Sequence, residues 1–255
     1  MAIEQAGRRN GIIFAVLAVV FGLGGALIGG YWQAHRLAVD PAAGLSAGNR
    51  AAMEQVVRSY ILDHPEILPE AMDNLRKRES AKQLSGVSDD VAKPFPGAVL
   101  GNPQGKVVLV EFTDFACTFC RQSVADVEAL VAANPDLKVV VRELPILSPA
   151  SVDAAKMALA AAEQGKYPAF HNAMYAAGRP DDATITAAAQ AAGLDIDRAR
   201  KVAAEPRVDA ELARNLELAR TLGFNGTPSW AIGDQLLSGA VGKDKLAKAI
   251  AAARD

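Results

Sequence analysis

Two apolar, β-branched runs flank a pair of cysteines, and this arrangement limits the possible folds more than any other feature. Lys106 to Thr113 reads KVVLVEFT, and Leu137 to Leu144 reads LKVVVREL. Runs that are apolar on successive residues, without strict alternation, suit strands buried on both faces. Between them, an amphipathic stretch from about Cys117 to Ala133 predicts a helix, which Pro135 stops. Strand, helix, strand at this length is a βαβ unit, so the two strands should lie parallel.

Cys117 and Cys120 are the only cysteines in 255 residues. Two thiols exclude a disulfide-dense scaffold and an all-Cys zinc cage. C-x-x-C at a helix start has a definite chemistry. The first sulfur sits where unpaired N–H groups and the positive helix end stabilise an anion. A lowered thiol pKa gives the thiolate that attacks disulfides. The second sulfur, one turn on, closes a small ring and releases substrate from the mixed disulfide. Half a metal site and a structural disulfide are the competing readings. A zinc site lacks partners, since His35 and His64 lie near the N-terminal segments and His171 in a later helical block. A structural disulfide closing so short a loop would staple almost nothing. Redox exchange is the reading adopted.

Two further positions fit that chemistry. Glu111 lies in the first apolar run, six residues before Cys117. Buried, it would pass protons to or from the resolving thiol; the alternative is an outward-facing charge at a strand end. Thr227-Pro228 follows Gly226 and precedes a short strand. A cis proline there would lie beside the sulfurs and offer backbone groups to an extended substrate chain; an ordinary trans turn proline is the alternative.

The remainder of the domain, residues 95–254, reads as α/β with an insertion. Residues 149–222 are Ala-rich and lack strand-like runs. Ser148 or Ser151 caps a helix to Gln164, GKYPAF marks a turn, and His171 to Ala177 forms a second helix. Asp181 or Asp182 caps a third, and one long helix runs from Asp195 to near Gly223. Ser229 to Ile232 and Gln235 to Leu237 then form a hairpin around Gly233-Asp234, and Lys243 to Ala253 closes the chain.

The N-terminal third is organised differently. Residues 11–32 read GIIFAVLAVVFGLGGALIGGYW, 22 residues without a charge, enough to cross a ~30 Å hydrocarbon core. Arg8 and Arg9 precede the run and Tyr31 and Trp32 close it. Positive-inside logic places residues 1–10 in the cytosol and the rest outside. The rival reading is a cleaved signal peptide, but no clean A-x-A site follows. Either way the folded part would lie in an oxidising compartment, on the periplasmic side of the inner membrane. Residues 45–85 predict a two-helix stalk, the first helix capped by Asn49 and the second started near Pro65. Met53, Val56, Val57, Tyr60 and Ile61, then Ile67, Leu68, Met72 and Leu75, form an apolar stripe. Gly86 to Pro96 reads as a linker, so the stripe is expected to bury itself against another copy of the chain. The net charge of −2 gives no sign of a nucleic-acid partner.

VVLVEFTDFACTFC, VRELPILSPAS and GTPSWAIGDQLLSGA, with the inserted helices, resemble the DsbA-type thiol-disulfide oxidoreductases. The resemblance implies a thioredoxin fold with an inserted all-helical subdomain, preceded here by a membrane helix and the stalk. It implies Cys117 as nucleophile, Cys120 as resolving cysteine, Glu111 as buried acid and Pro228 as cis proline after Thr227. Thr118, Phe119, Thr227 and Trp230 become candidates for substrate binding. No cofactor is implied beyond the redox-active pair. RSYILDHPEILPEAM is similar to the N-terminal segment of the ScsC-type members. In that group the segment supports oligomers (a trimer favoured, a dimer possible), isomerase activity and links to copper tolerance. The implied partners are exported proteins with cysteines and a membrane redox protein. Thr118 stands where the family commonly has Pro, and Phe119 where a His is frequent, which leaves oxidising strength open. The competing functions are a disulfide oxidase re-oxidised at the membrane and a Cu(I) carrier using the soft thiolate pair.

Overall fold

A computed structural model describes residues 46–254. The expected cytosolic segment 1–10 and anchor 11–32 lie outside them. Among the described residues no helix is long and apolar enough to cross a membrane. The chain divides into two compact units, Met1–Ala71 and Met72–Asp255.

In the first unit, α1 spans Ala47–Asp63. Ser46, not Asn49, caps it, its Oγ accepting from the Asn49 N–H at 3.3 Å. The next helix, α2 (Ile67–Leu84), only begins in this unit; it starts two residues later than Pro65 suggests, with Pro69 in its first turn, where a missing N–H costs little. Met53, Val56, Val57, Tyr60, Leu62 and Leu68 are each more than half exposed.

In the second unit, the segment expected as a free linker is largely docked. It holds a short helix, α3 (Ser88–Ala92), whose Val91 is buried with Phe95. Arg142, itself buried, donates to the carbonyls of Asp90, Val91 and Lys93. It also pairs with Glu211 at 2.8 Å and Asn215 at 2.9 Å. A buried guanidinium keeps its charge only where its donors are met, and the linker carbonyls meet them.

The sheet contains β1 (Val99–Gly101), β2 (Val107–Thr113), β3 (Leu137–Glu143), β4 (Ser229–Ile232) and β5 (Gln235–Ser238), in the order β1-β3-β2-β4-β5. β2 and β3 are parallel, as the βαβ reading requires, and the other pairings are antiparallel. Between β2 and β3 runs α4 (Thr118–Ala133), ended at Asn134 before Pro135. One sheet face carries Leu109, Val139, Val141 and Trp230 against Val127 and Leu130 of α4 and the inserted helices. The other carries Val110, Phe112 and Val140 against Leu218, Ala219 and Leu222.

The insertion comprises α5 (Pro149–Glu163), α6 (Tyr167–Ala177), α7 (Asp182–Ala191), α8 (Ile196–Ala203) and α9 (Pro206–Thr221). Ser148 caps α5, and Asp181 with Thr184 forms a capping box on α7. Two expectations are corrected. GKYPAF is not only a turn: α6 begins at Tyr167, with Pro168 in its first turn. The single long helix after Asp195 is two, because Pro206 has no N–H for a continuing helix and starts a new one. The closing helix, α10, spans Lys243–Ala252.

Candidate active site

β2 ends at Thr113, and four residues later Cys117 caps α4. Asp114 shapes this turn. Its Oδ1 accepts from the Ala116 N–H at 2.8 Å, and its Oδ2 accepts from the Ile146 and Leu147 N–H groups, both at 2.9 Å. One buried carboxylate therefore holds the loop before the cysteine and the loop after β3. Nothing in the sequence singled Asp114 out beyond its place as an Asx residue after a strand.

Cys117 and Cys120 are 4% and 1% exposed. The Cys120 N–H donates to Cys117 Sγ at 3.2 Å, so the sulfur accepts where a capping oxygen would stand. Opposite, the Cys117 thiol donates to the Thr227 carbonyl at 3.2 Å. The Thr227-Pro228 bond is cis, as the resemblance implied. Thr227 Oγ1 is buried without another hydrogen-bond partner, so its proton is free for a sulfur anion.

These contacts split the two thiols. Cys117 is lowered to about 6, first by side-chain hydrogen bonding from Cys120, with further help from Thr227 and the helix N–H groups; burial opposes them. Cys120 is pushed up, first by burial and then by its neighbour Cys117. The outer sulfur is thus the anion at neutral pH and the inner one holds the proton, the division of labour exchange requires.

Glu111 is 3% exposed and lies within β2 between Val141 and Trp230, so the outward-facing alternative is excluded. Burial raises its pKa to about 8, opposed by the Thr113 hydroxyl and reinforced by Cys117. A carboxyl poised near neutrality can accept or give a proton.

The other candidates separate cleanly. Thr118 is exposed, and Phe119 is 60% exposed at the first turn of α4. Phe119 is therefore not local core and is free to meet a substrate. Trp230 is fully buried, and its indole N–H donates to the Gly239 carbonyl at 3.0 Å. It is a core residue pairing with Glu111, and its placement corrects the expectation of direct substrate contact. Ile146 and Leu147, which the sequence reading did not select, are exposed on the loop held by Asp114. Among the described residues no group of three or more His, Cys, Asp or Glu is arranged to hold a metal ion.

A parallel β2–β3 pair, a thiolate at a helix N-terminus, a protonated resolving thiol and a cis proline beside the sulfurs define a thiol-disulfide oxidoreductase of thioredoxin fold. Residues 108–251 match the DSBA-like thioredoxin domain family, and the chain belongs to that family. Residues 49–82 match the N-terminal domain of the copper resistance protein ScsC. Among solved structures, a thioredoxin-like oxidoreductase from Silicibacter pomeroyi is 43% identical, covering 61% of this chain and 91% of its own, with a TM-score of 0.59. A linker-deleted Proteus mirabilis ScsC is 28% identical over 83% of this chain and 98% of its own, TM-score 0.63. The thiol-disulfide exchange protein alpha-DsbA2 of Wolbachia pipientis is 28% identical over 70% and 97%, TM-score 0.64. Among curated relatives, a Na(+)/H(+) antiporter NhaA of Salinispora tropica is 29% identical over 184 residues, 68% of this chain. The chain spans 28% of that antiporter's length.

Proposed function

We propose that this chain works on the far side of a membrane, exchanging disulfides in exported proteins in the isomerase or reductase direction. The observation that carries the reading is the stalk. Eight large apolar side chains between Met53 and Leu75 are exposed within the region that matches the ScsC N-terminal domain. Such a stripe gains most by packing on further copies of itself. An oligomer would present several Cys117 thiolates to one misfolded substrate, which favours reshuffling over net oxidation. The uncharged run 11–32 would anchor the assembly or direct its export, and a membrane redox protein would keep the pair reduced. The test is reactivation of a scrambled multi-disulfide protein by the full chain, with its mass measured in solution. Reactivation by an oligomer supports the proposal; a monomer that oxidises reduced substrates but leaves scrambled ones unchanged overturns it.

One observation favours a second reading. Stabilising the Cys117 thiolate stabilises the reduced protein, which makes the disulfide form a stronger oxidant. The reduction potential of the pair decides between a donor and an acceptor of disulfides. A third role, carrying Cu(I) on the same sulfurs, would appear as Cu(I) binding lost in Cys117→Ser.

A further inference from the structure

Outside α1 and α2, three large apolar side chains are exposed among the described residues: Phe119 at 60%, Leu147 at 54% and Ile146 at 43%. All three border the reacting sulfur. Phe119 lies between the two cysteines in sequence. Ile146 and Leu147 are brought there by Asp114. Its carboxylate accepts from both of their N–H groups and from that of Ala116, and its backbone carbonyl accepts from the Cys117 N–H at 2.9 Å. One carboxylate bridges the two loops, so the backbone at Ile146 lies within about 8 Å of that at Ala116.

The loop that carries Ile146 and Leu147 is pinned along its length. The Leu144 N–H donates to the Thr113 carbonyl at 2.7 Å, and Pro145 has no N–H to satisfy. Ser148 caps α5, its Oγ accepting from the Ser151 N–H at 3.1 Å, and Pro149 follows in the first turn of that helix. A single exposed aliphatic residue needs no explanation. Two adjacent ones, on a backbone whose donors are met, form a fixed apolar lip beside a reactive sulfur, and a lip already ordered loses little freedom when it binds. We propose that Asp114 is a positioning residue for substrate recognition: it fixes Ile146 and Leu147 beside Cys117, where they receive an aliphatic or aromatic side chain one or two residues from the substrate's cysteine.

The occupant is a cysteine-containing segment of a non-native protein. Attack of the Cys117 thiolate on a substrate disulfide joins Cys117 Sγ to one substrate sulfur and frees the other as a thiolate. The substrate chain is then tethered at Cys117, itself only 4% exposed, and lies over the surface that adjoins it. Successive residues of an extended chain are about 3.3 Å apart, so those one or two positions from the joined cysteine come within reach of the loop. In a folded protein large apolar residues are mostly buried, so an apolar residue exposed beside a cysteine marks a chain that has not folded. The inference rests on exchange at the pair, as the proposed function does, and not on its direction.

The test uses the reduced full-length protein and two synthetic peptides, each with one cysteine and supplied as its disulfide-linked dimer. The peptides differ only in having leucine or serine on both sides of the cysteine. Acid quench follows oxidation of the pair, and the readout is the ratio of the two second-order rates. Wild type is expected to favour the leucine peptide by about 10-fold. Ile146→Ser combined with Leu147→Ser should lower that preference to about 2-fold or less. Asp114→Asn leaves both apolar side chains in place, but an amide nitrogen cannot accept from the N–H groups that the carboxylate serves. Its preference should fall as in the double variant, whereas a merely structural role would slow both peptides alike and leave the ratio unchanged. Where Asp114→Asn does not fold, Asp114→Glu, which keeps both oxygens but displaces them, should give an intermediate ratio. A wild-type protein without preference, a double variant that keeps the preference, or a preference lost only in Phe119→Ala overturns the proposal. So does an unchanged ratio in the Asp114 variant that folds. Failure of wild type to react with either peptide would instead overturn exchange at the pair.

Discussion

The carbonyl oxygen of Thr227 lies 3.2 Å from Cys117 Sγ, although 110 residues separate the two in sequence. That contact joins the turn after the inserted helices to the N-terminus of α4. It places a backbone acceptor and a free hydroxyl against the sulfur that reacts. The proline after Thr227 leaves no N–H at the next position, and Thr227 itself is half-buried beside the sulfur.

Alkylation should report the split between the thiols. Its rate at Cys117 is expected to rise as pH passes through about 6 and then level, while Cys120 stays unreactive in the folded protein. In Cys120→Ala the largest influence lowering Cys117 is gone, so the Cys117 midpoint should move upward. Mass spectrometry of the alkylated protein checks both.

Stability should depend on pH through Glu111 and Cys117 in opposite directions. Glu111 binds its proton up to about 8 when folded, against 4.5 unfolded. The folded state therefore holds more protons across that window, and stability falls as pH rises from 4.5 to 8. The full cost is on the order of a few kcal/mol. Cys117 is the reverse case: its folded pKa of about 6 lies below the ordinary thiol value of 9.0, so it adds stability as pH rises from 6 to 9. Only the reduced protein has that second contribution, so the gap in stability between reduced and oxidised forms should change in favour of reduced across 6 to 9. Glu111→Gln should abolish the fall between 4.5 and 8. Urea midpoints at several pH values, with both redox forms, measure this.

Removing the Arg142 side chain should cost about 3–5 kcal/mol, because Glu211 and the carbonyls of Asp90, Val91 and Lys93 lose their buried donor. Arg142→Ala should also open the segment around α3 to proteolysis before global unfolding. Urea unfolding and limited digestion test the two effects separately.

Phe119 and Trp230 should part company on mutation. Phe119→Ala, at an exposed site, is expected to leave stability within about 0.5 kcal/mol and to raise KM for protein substrates. Trp230→Ala empties a fully buried site and should cost about 3–5 kcal/mol. Thermal melts beside steady-state kinetics distinguish the roles.

The sequence disclosed the catalytic elements because their signals are local. KVVLVEFT and LKVVVREL show their burial in an unbroken apolar run, and C-x-x-C shows its chemistry in its spacing. The helical block was legible as helix but not in its joints, since only tertiary packing decides whether Pro206 kinks a helix or starts one. The linker was misread for a similar reason. Gly86 to Pro96 has a loop's composition, and the group that docks it, Arg142, lies on a strand some 50 residues away. Asp114 was missed because it is common in type, and its meaning lies in contacts that tie the loop before Cys117 to the loop after β3. Trp230 was misplaced because its neighbourhood in sequence surrounds the site, while strand alternation turns its own ring inward.

The central claim is that Cys117 attacks disulfides and Cys120 resolves them. The most direct measurement mixes reduced full-length Cys120→Ser with a disulfide-containing protein, quenches with acid, and maps the adducts by mass spectrometry. The account predicts a stable mixed disulfide through Cys117, with wild type instead ending as the Cys117–Cys120 disulfide and a reduced partner. A Cys120→Ser protein that forms no adduct, or a Cys117→Ser protein that traps substrate through Cys120 equally well, would contradict it.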